Sequence, residues 1–423
     1  MRSLKAGGKA VVKTAVKPVV ESAVKAVVKP VVEIAVKAVV KAMTLRKTAM
    51  TLAFLPILLV AGCSFEDMNW SIKPSLTAVT AKAKPLFDPN ELRSDAPAAI
   101  DAELAKRKVQ VQKKADALFT EQDGQLILKH KYGTTVIPKE AKRVVVIRLE
   151  DPMAALGAPM VGAYNPPTFY LHDELTAEGV EPISINENIK AINMEQVQAL
   201  KPDLILLRDS FDRNTYVALS KIAPVAALRL QDTEVTLLAL GRILQREKQA
   251  EDRLQLYYDR VKEARMEIKA HIGNAPVALL RVMRKEVRLY PYSTNDINRF
   301  MYELLNLRPD PMSVAQDSGD TNVVSLEMLP ELKAEYLIVA SGYGPSSSGN
   351  AGAAQKYYEE LQADPLWQTI PAVKDGHILN VNPVLWNAHG IIAKERAIED
   401  LRRYLTTVAE KFNFTERYFM NCQ

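Results

Sequence analysis

The sequence predicts an α/β protein built from two similar lobes that are joined by one long rigid helix. A short pattern occurs twice, at residues 193–207 and 325–339: a capping residue, a glutamate in the first helical turn, a short helix, a turn and a buried strand. Between the copies, residues 234–270 repeat apolar side chains mostly three and four apart and contain no proline. Such a helix would be roughly 50 Å long, about the length of a two-lobed protein.

The first 62 residues are predicted to be a leader and a lipoprotein signal peptide. Residues 51–62 are apolar and uncharged, follow Arg46 and Lys47, and end in small residues directly before Cys63. This order is typical of a bacterial lipoprotein signal, in which the cysteine thiol carries the lipid. The alternatives are a plain secretory signal or a membrane anchor, although the apolar run is short for a membrane span.

A tandem repeat precedes this signal. Residues 16–29 recur as residues 28–41 with one substitution, and they consist almost entirely of Val, Ala, Lys, Pro and Glu. Because Met43 by itself opens a complete signal, residues 1–42 are interpreted as a mis-called start or a discarded leader. The alternative is a basic amphipathic segment that lies on a membrane surface.

The positive charge of the whole chain belongs to this leader. Residues 1–47 hold eleven of the 55 Lys and Arg residues but only two of the 50 acidic residues, so the chain from Cys63 onward has a net charge of about −4. That charge gives no reason to expect nucleic-acid binding. The only other cysteine is Cys422, so an acylated Cys63 would leave no internal disulfide.

The remaining chain divides by composition and periodicity. The stretch after Cys63 is polar and rich in Ala, Lys and Pro, which predicts a lipid-anchored tether with one helix near residues 100–117. The predicted divisions are the tether at 63–124, an N-terminal lobe at 125–233, the connecting helix at 234–270, a C-terminal lobe at 271–410 and a tail at 411–423.

Each lobe shows its own strands and helices. Alternating residues with a glycine turn predict an edge hairpin at 125–138, and short apolar runs predict buried strands. The predicted strands are 143–147, 159–163, 225–228, 277–282, 287–290 and 377–381, and the predicted helices are 152–156, 297–305 and 388–405.

Ten short motifs occur in a fixed order between residues 127 and 405. They are 134–138 with 142–146, 154–157 with 161–162, Glu195 with 200–204, 222–224, 240–241, Arg281 with 288–290, Glu327, 364–367, 372–376, and 385–386 with Gly390. None of these motifs is specific for one protein family by itself. Together they resemble the substrate-binding lipoproteins of iron–siderophore ABC importers, the ferrichrome or ferric hydroxamate type whose lobes are joined by one rigid helix.

The resemblance implies mostly parallel central sheets and a ligand cleft between the lobes. It implies a monomeric receptor that captures a ferric siderophore and delivers it to permease subunits with a cytoplasmic ATPase, from the extracytoplasmic face of the membrane. It implies no resident cofactor or metal site and no catalysis, and the sequence contains no nucleophile elbow or P-loop. The alternatives are a cobalamin- or haem-binding protein on the same scaffold, or a ligand-sensing signalling domain.

The family also implies roles for two acidic residues. Glu195 and Glu327 match the glutamates that dock onto arginines of the two permease subunits. Exposed carboxylates at helix starts suit guanidinium partners, because the two groups form charge-assisted hydrogen bonds with a defined geometry. The alternative is that each glutamate only complements its own helix dipole.

The second lobe holds three candidate ligand-binding residues. Arg281 falls at the end of a strand, where the family has a cleft arginine; a surface salt bridge is the alternative. Arg288 and Tyr290 are two residues apart on the next strand and therefore share a face, with Leu289 on the other. The alternative for this pair is a solvated sheet edge. No dense basic cluster for a tricatecholate is evident, which favours a hydroxamate or mixed siderophore.

Aromatic residues complete the candidate set. Trp386 matches a pocket aromatic of the family, although tryptophan is also a common core residue. Tyr164 and Tyr170 lie in a proline-containing loop after a strand of the first lobe, where cleft loops belong. Tyr216 is a further candidate. Asp151 stands where the family often has a glutamate.

Overall fold

The structure is a computed structural model that describes residues 93–186, 189–292, 296–315, 322–342 and 350–420. The predicted leader, the predicted lipidation site Cys63 and the first part of the predicted tether lie outside the described residues, as does Cys422. Within the described ranges, none of the helices is sufficiently long and apolar to span a membrane.

The N-terminal lobe contains a small antiparallel sheet, a parallel sheet and a short hairpin. The antiparallel sheet has the order β1-β2-β3, and its β2–β3 pair confirms the predicted hairpin. The parallel sheet has the order β10-β9-β4-β5-β6, and β7 pairs with β8. The strands are β1 (Phe119–Gln122), β2 (Gln125–His130), β3 (Gly133–Val136), β4 (Val144–Ile147), β5 (Gly162–Ala163), β6 (Glu181–Pro182), β7 (Ile185–Asn186), β8 (Ala191–Ile192), β9 (Leu204–Arg208) and β10 (Val225–Leu228).

The C-terminal lobe contains a mixed sheet with the order β14-β12-β11-β15-β16, and β13 pairs with β11 outside this path. Strands β11, β13, β15 and β16 are parallel, whereas β12 and β14 are antiparallel to their neighbours. Two lobes with mostly parallel sheets are therefore confirmed. The strands are β11 (Pro276–Val282), β12 (Val287–Leu289), β13 (Arg308–Pro309), β14 (Asn322–Val324), β15 (Tyr336–Ser341) and β16 (Ile378–Val381).

Helices cover both sheets and connect the lobes. The α-helices are α1 (Pro97–Asp116), α2 (Glu150–Ala155), α3 (His172–Ala177), α4 (Met194–Ala199), α5 (Arg213–Ser220), α6 (Thr233–Ile243), α7 (Glu247–Ile272), α8 (Asp296–Asn298), α9 (Pro311–Ala315), α10 (Asn350–Gln362), α11 (Pro371–Lys374), α12 (Pro383–Trp386) and α13 (Ile391–Met420). A π-helix, Arg299–Leu304, continues α8, and two 3₁₀ helices lie at Leu326–Glu331 and Trp367–Thr369.

The repeated sequence pattern is a repeated structural unit. In the N-terminal lobe, α4 leads into β9, and in the C-terminal lobe the 3₁₀ helix Leu326–Glu331 leads into β15. Both strands lie inside their sheets. The second helix is 3₁₀ and contains Pro330, which cannot donate the backbone hydrogen bond of a continuing α-helix.

One long helix connects the lobes, as predicted, but it begins later in the chain. The expected helix at 234–270 is two helices, because the chain turns between α6 and α7. A Cβ atom at Gly241 would lie 2.5 Å from the Cβ atom of Ala250, so glycine allows the two helices to pack closely. Gln245 takes a φ of 56° at the turn. The link is therefore α7 alone, 26 residues long, or roughly 39 Å.

Part of the predicted tether is folded, which corrects the predicted boundary at residue 124. Helix α1 lies near the expected position, but its apolar side chains Ile100, Leu104, Val111 and Ala115 are buried in the main core. These residues are four, seven and four positions apart, which places them on one helical face. Strand β1 is likewise paired with β2. The folded body therefore includes α1 and β1.

Buried ion pairs connect α1 and the residues before it to the rest of the body. Arg107 donates to Glu234 on α6 through two bonds of 2.8 and 2.7 Å. Arg265 on α7 has no exposed side-chain surface and pairs with Asp95 at 3.0 Å and Glu103 at 3.2 Å. Buried charges are tolerated when oppositely charged groups surround them in this way. Segment 93–116 is thus held to α6 and to the connecting helix.

Replacing Ile100 with alanine tests whether α1 belongs to the core. Ile100 has 0 % exposure, so the truncation should leave a cavity and lower the free energy of unfolding by about 2–5 kcal/mol. Val109 on the same helix is 69 % exposed, and its replacement with alanine should change that free energy by less than about 0.5 kcal/mol. Urea denaturation measures both variants. Equal stability of the two would show that α1 does not pack as described.

Candidate ligand-binding site

Two groups of side chains lie where the main sheets of the lobes end. In open α/β sheets, ligands bind in the crevice outside the carboxyl ends of the parallel strands. The N-lobe group consists of Arg148, which follows β4, and of Tyr164 and Tyr170, which follow β5. The C-lobe group consists of Arg281 near the end of β11, with Arg288 and Tyr290 on and after β12.

Stacked rings and one cation form the N-lobe group. The guanidinium carbon of Arg148 lies 3.9 Å from the centre of the Tyr164 ring. The Phe169 ring lies 6.4 Å from that of Tyr164 and 4.6 Å from that of Tyr170, measured between centroids. The predicted residues Tyr164 and Tyr170 are therefore brought together. Because Tyr164 is buried and Arg148 is half-buried, Arg148 is the more accessible of the stacked pair.

A buried carboxylate lies beneath this group. Oε1 of Glu150 accepts hydrogen bonds from the backbone N–H of Arg148 at 2.7 Å and of Tyr164 at 3.2 Å. Burial raises the pKa of Glu150 to about 7, against the opposing effects of the backbone donors and the Arg148 charge. Glu150 is therefore poised to change its charge near neutral pH.

The neighbouring carboxylate, Asp151, joins the N-terminal lobe to the last helix of the chain. Its oxygens accept hydrogen bonds from the backbone N–H of Ile392 at 3.1 Å and of Ala393 at 2.9 Å, in the first turn of α13. The Tyr170 hydroxyl donates to the same carboxylate at 2.8 Å. Free N–H groups and the dipole at a helix start favour an anion there. Gly390 is required, because a Cβ atom would lie 1.7 Å from the Asp151 carboxyl carbon.

The segment 387–390 contacts elements of both lobes. The Tyr290 hydroxyl donates to the side-chain oxygen of Asn387, and the Thr233 hydroxyl of α6 donates to the His389 carbonyl. Nδ1 of His389 lies 3.7 Å from Asp296, whose carboxylate also pairs with Lys394 at 2.5 Å. Burial alone would raise the pKa of Asp296, but Lys394 and His389 outweigh it and the pKa is lowered. The segment therefore lies between the N-lobe and C-lobe groups.

The C-lobe group places two arginines at paired positions of neighbouring strands. Arg281 and Arg288 are directly opposite each other in the antiparallel pair β11–β12. Leu289 packs in one core cluster and Tyr290 in the other, which confirms that they lie on opposite faces. Nε of Arg288 donates to Glu286 at 2.6 Å, and the Arg288 side chain is 34 % exposed. Two arginines on one face of a sheet suit a ligand that is rich in oxygen acceptors or carries negative charge.

Two other candidates lie elsewhere. Trp386 is 3 % exposed and its indole N–H donates to Asp400 at 2.9 Å, so it occupies the alternative position in the core. Tyr216 on α5 stacks on Tyr132, with ring centroids 4.6 Å apart, in the cluster on the other face of the N-lobe sheet. Tyr216 is therefore not brought to the other candidates, and Trp386 serves as a core residue. The sequence could not show this, because an aromatic side chain in a sequence does not reveal which face it covers.

Sequence reasoning missed Arg148, Glu150 and Asn387. A signal existed for Arg148, since it directly follows the continuous apolar run of β4 and so lies at the carboxyl end of a buried strand. Glu150 gave no separate signal, because an acid in a first helical turn is ordinary.

The two predicted docking glutamates are exposed, one on each lobe. Glu195 lies in the first turn of α4, where Oδ1 of Asn193 caps the helix by accepting from the Gln196 N–H at 3.1 Å. Glu327 lies in the first turn of the 3₁₀ helix, and hydrogen bonds from its own backbone N–H and from Ser325 lower its pKa. Both carboxylates face solvent at equivalent places in the repeated unit.

A sequence profile of the periplasmic binding protein family matches residues 155–385, more than half of the chain. The chain therefore belongs to the periplasmic binding protein family. This finding confirms the class of protein that the ordered motifs resembled.

Individual relatives agree with the family. The chain is 26 % identical over 295 residues to the probable siderophore-binding lipoprotein YfiY of Bacillus subtilis, covering 66 % of this chain and 86 % of that protein. It is 26 % identical over 286 residues to the iron(3+)-hydroxamate-binding protein FhuD of the same organism, covering 66 % and 85 %. The crystal structure of Staphylococcus aureus SirA with staphyloferrin B matches with a TM-score of 0.57 and 25 % identity over 66 % of this chain and 98 % of that chain.

Replacing Gly390 with alanine tests the contact between the lobes. The added methyl group would overlap the Asp151 carboxyl group, so we expect the free energy of unfolding to fall by about 1–3 kcal/mol. Gly352 in α10 has nothing within 4 Å of a built Cβ atom, and its replacement with alanine should be neutral or stabilising by up to about 1 kcal/mol. Urea denaturation compares the two. A Gly390→Ala protein as stable as the Gly352→Ala protein would contradict the close contact.

Proposed function

We propose that this protein captures a ferric siderophore between its two lobes and delivers it to the permease of an ABC importer. The observation that carries the proposal is the placement of Arg148 on one lobe and of Arg281 and Arg288 on the other, with segment 387–390 between them. Membership in the periplasmic binding protein family supports it. So do the names of relatives that bind iron(3+)-hydroxamate and staphyloferrin B.

The chemistry of the two groups suits such a ligand. A ferric siderophore surrounds its iron with oxygen atoms, and guanidinium groups donate several hydrogen bonds in a fixed plane to such acceptors. Phe169 and Tyr170 add aromatic surface next to Arg148, against which the organic part of the ligand can pack. The iron arrives and leaves as part of the cargo, and the receptor needs only to bind and present it.

Delivery would use the exposed glutamates. We propose that Glu195 and Glu327 each bind an arginine of one permease subunit, because two matching carboxylates on separate lobes set the register of docking. Exposed apolar side chains lie near both acids in the chain: Ile189 at 73 %, Val323 at 56 % and Met328 at 37 % exposure. Such residues are suited to contact with a partner protein.

The signal pattern before Cys63 supports a proposal for where the protein acts. We propose that Cys63 carries a lipid that anchors a monomeric receptor at the extracytoplasmic face of the membrane, beside a permease with a cytoplasmic ATPase. The signal pattern before Cys63 supports the anchor, and the relative YfiY is named a lipoprotein.

Ligand binding tests the central proposal. Intrinsic fluorescence of the protein should be quenched by at least one of ferrichrome, ferric citrate and ferric enterobactin. Arg281→Gln should weaken the binding of that chelate about tenfold or more, since a hydrogen bond to a charged group is lost. The control is Arg284→Gln, at an exposed position in the turn between β11 and β12, which should bind as the unmodified protein does. If none of the ferric chelates quenches the fluorescence, the proposal is wrong.

Uptake of radioactive iron tests docking separately. A double variant with Glu195→Gln and Glu327→Gln should bind the chelate normally but reduce cellular uptake at least about tenfold, because each substitution removes one charged contact. The matched control replaces Glu178 and Glu331, both exposed acids outside the first turns of the two short helices, with glutamine. Unchanged uptake by the first variant would show that the glutamates do not dock.

A further inference from the structure

We propose that Glu150 is a positioning residue of the ligand-binding site: its side chain fixes the backbone of Arg148, so that the guanidinium stacks on the Tyr164 ring, and it sets the charge beside that guanidinium. This inference rests on the proposed function, because it concerns the same site. It adds a residue that the family resemblance did not indicate.

The geometry of Glu150 connects two neighbouring strands at their carboxyl ends. Strands β4 and β5 pair in parallel, with Val146 opposite Ala163. Arg148 and Tyr164 follow these strands, and their backbone N–H groups both donate to the same carboxylate oxygen. One buried side chain therefore sets the separation of the two segments from which the stacked pair projects.

The backbone of Arg148 needs such a restraint. Its φ is 63°, in the left-handed region that residues with a Cβ atom rarely adopt. Residues keep an unfavourable conformation only where the surrounding structure holds them in it, and such residues cluster at binding and catalytic sites. The 2.7 Å bond from the Arg148 N–H to Glu150 provides this restraint directly.

The charge on Glu150 also acts on the guanidinium of Arg148. Burial raises the pKa of Glu150 to about 7, so the carboxylate loses its charge as the pH falls from 8 to 6. Arg148 from the segment before α2 and Tyr170 from the loop after β5 interact with Glu150 electrostatically, and Asp151 is its neighbour on α2. Helix α13 packs against α2 and contributes two further charged groups near Tyr170 and Asp151, namely Arg396 and Glu395.

The consequence is a pH-dependent affinity. Above neutral pH, a negative Glu150 competes with the ligand's oxygen atoms for the positive charge of Arg148. Below it, the neutral acid still offers a carbonyl oxygen to the two N–H groups but no longer attracts the guanidinium. The affinity for a ferric chelate should therefore be higher at pH 6 than at pH 8.

Two substitutions separate the two roles. The probe is whichever of ferrichrome, ferric citrate and ferric enterobactin the unmodified full-length protein binds most tightly. Glu150→Gln keeps a carbonyl acceptor without the charge, so it should bind the probe at pH 6 within about threefold of the unmodified protein. Glu150→Ala removes the acceptor, so it should bind about tenfold more weakly or worse. Glu178→Ala, at an exposed position, is the control and should bind normally.

The pH profile provides a readout that a purely structural role would not move. We expect the unmodified protein to bind the probe about threefold more tightly at pH 6 than at pH 8, and Glu150→Gln to show no such difference. Because both proteins meet the same chelate solution, changes in the chelate itself cancel. Thermal unfolding checks that each variant is folded; if Glu150→Ala is not, the Gln variant and its pH profile decide alone.

The outcomes distinguish this inference from the proposed function. If the unmodified protein binds none of the three chelates, the proposed function fails, and this inference fails with it. If the unmodified protein binds the probe but folded Glu150→Ala binds equally well, or Glu150→Gln keeps the full pH dependence, only the role of Glu150 is overturned.

Discussion

The contact between Asp151 and the start of α13 is the interaction on which the arrangement of the two lobes depends. The Asp151 carboxylate, in α2 of the N-terminal lobe, accepts hydrogen bonds from two backbone N–H groups in the first turn of α13. Helix α13 follows β16 of the C-terminal lobe in the chain. Gly390 leaves room for it. The preceding residues 387–389 then contact Tyr290 on one side and Thr233 on the other. A single buried carboxyl group thus holds a junction between elements of the two lobes.

Much of the fold was predictable because its signals are local. Strands β4, β9 and β10 are continuous apolar runs, which is how strands buried on both faces of a parallel sheet read in a sequence. The spacing of apolar residues in the connecting helix, mostly three and four positions apart, was equally clear. Its true start was not, because the turn depends on Gly241 meeting Ala250 after the chain has folded back. The core face of α1 was obscured by the polar, proline-rich composition around it.

The site was harder to predict than the fold. The opposition of Arg281 and Arg288 follows from strand pairing, and the shared face of Arg288 and Tyr290 from the two-residue period of a strand. By contrast, the burial of Trp386 depends on a partner fourteen residues away. The position of Glu150 depends on a backbone group from a different strand. Contacts between residues far apart in the chain leave no pattern that one sequence can reveal.

The ion pairs and hydrogen bonds that hold segment 93–116 to the rest of the body affect the order in which the protein folds. Arg93 donates to the carbonyl of Tyr302, 209 residues further along the chain, so segment 93–116 emerges long before all of its final partners have been synthesised. Until α6 and α7 have been synthesised, its apolar face lacks the helices that cover it in the folded protein. Closing so long a loop is slow, and unsatisfied apolar surface promotes aggregation. A nascent chain of this protein should therefore depend on holding chaperones for longer than one whose body begins at the hairpin.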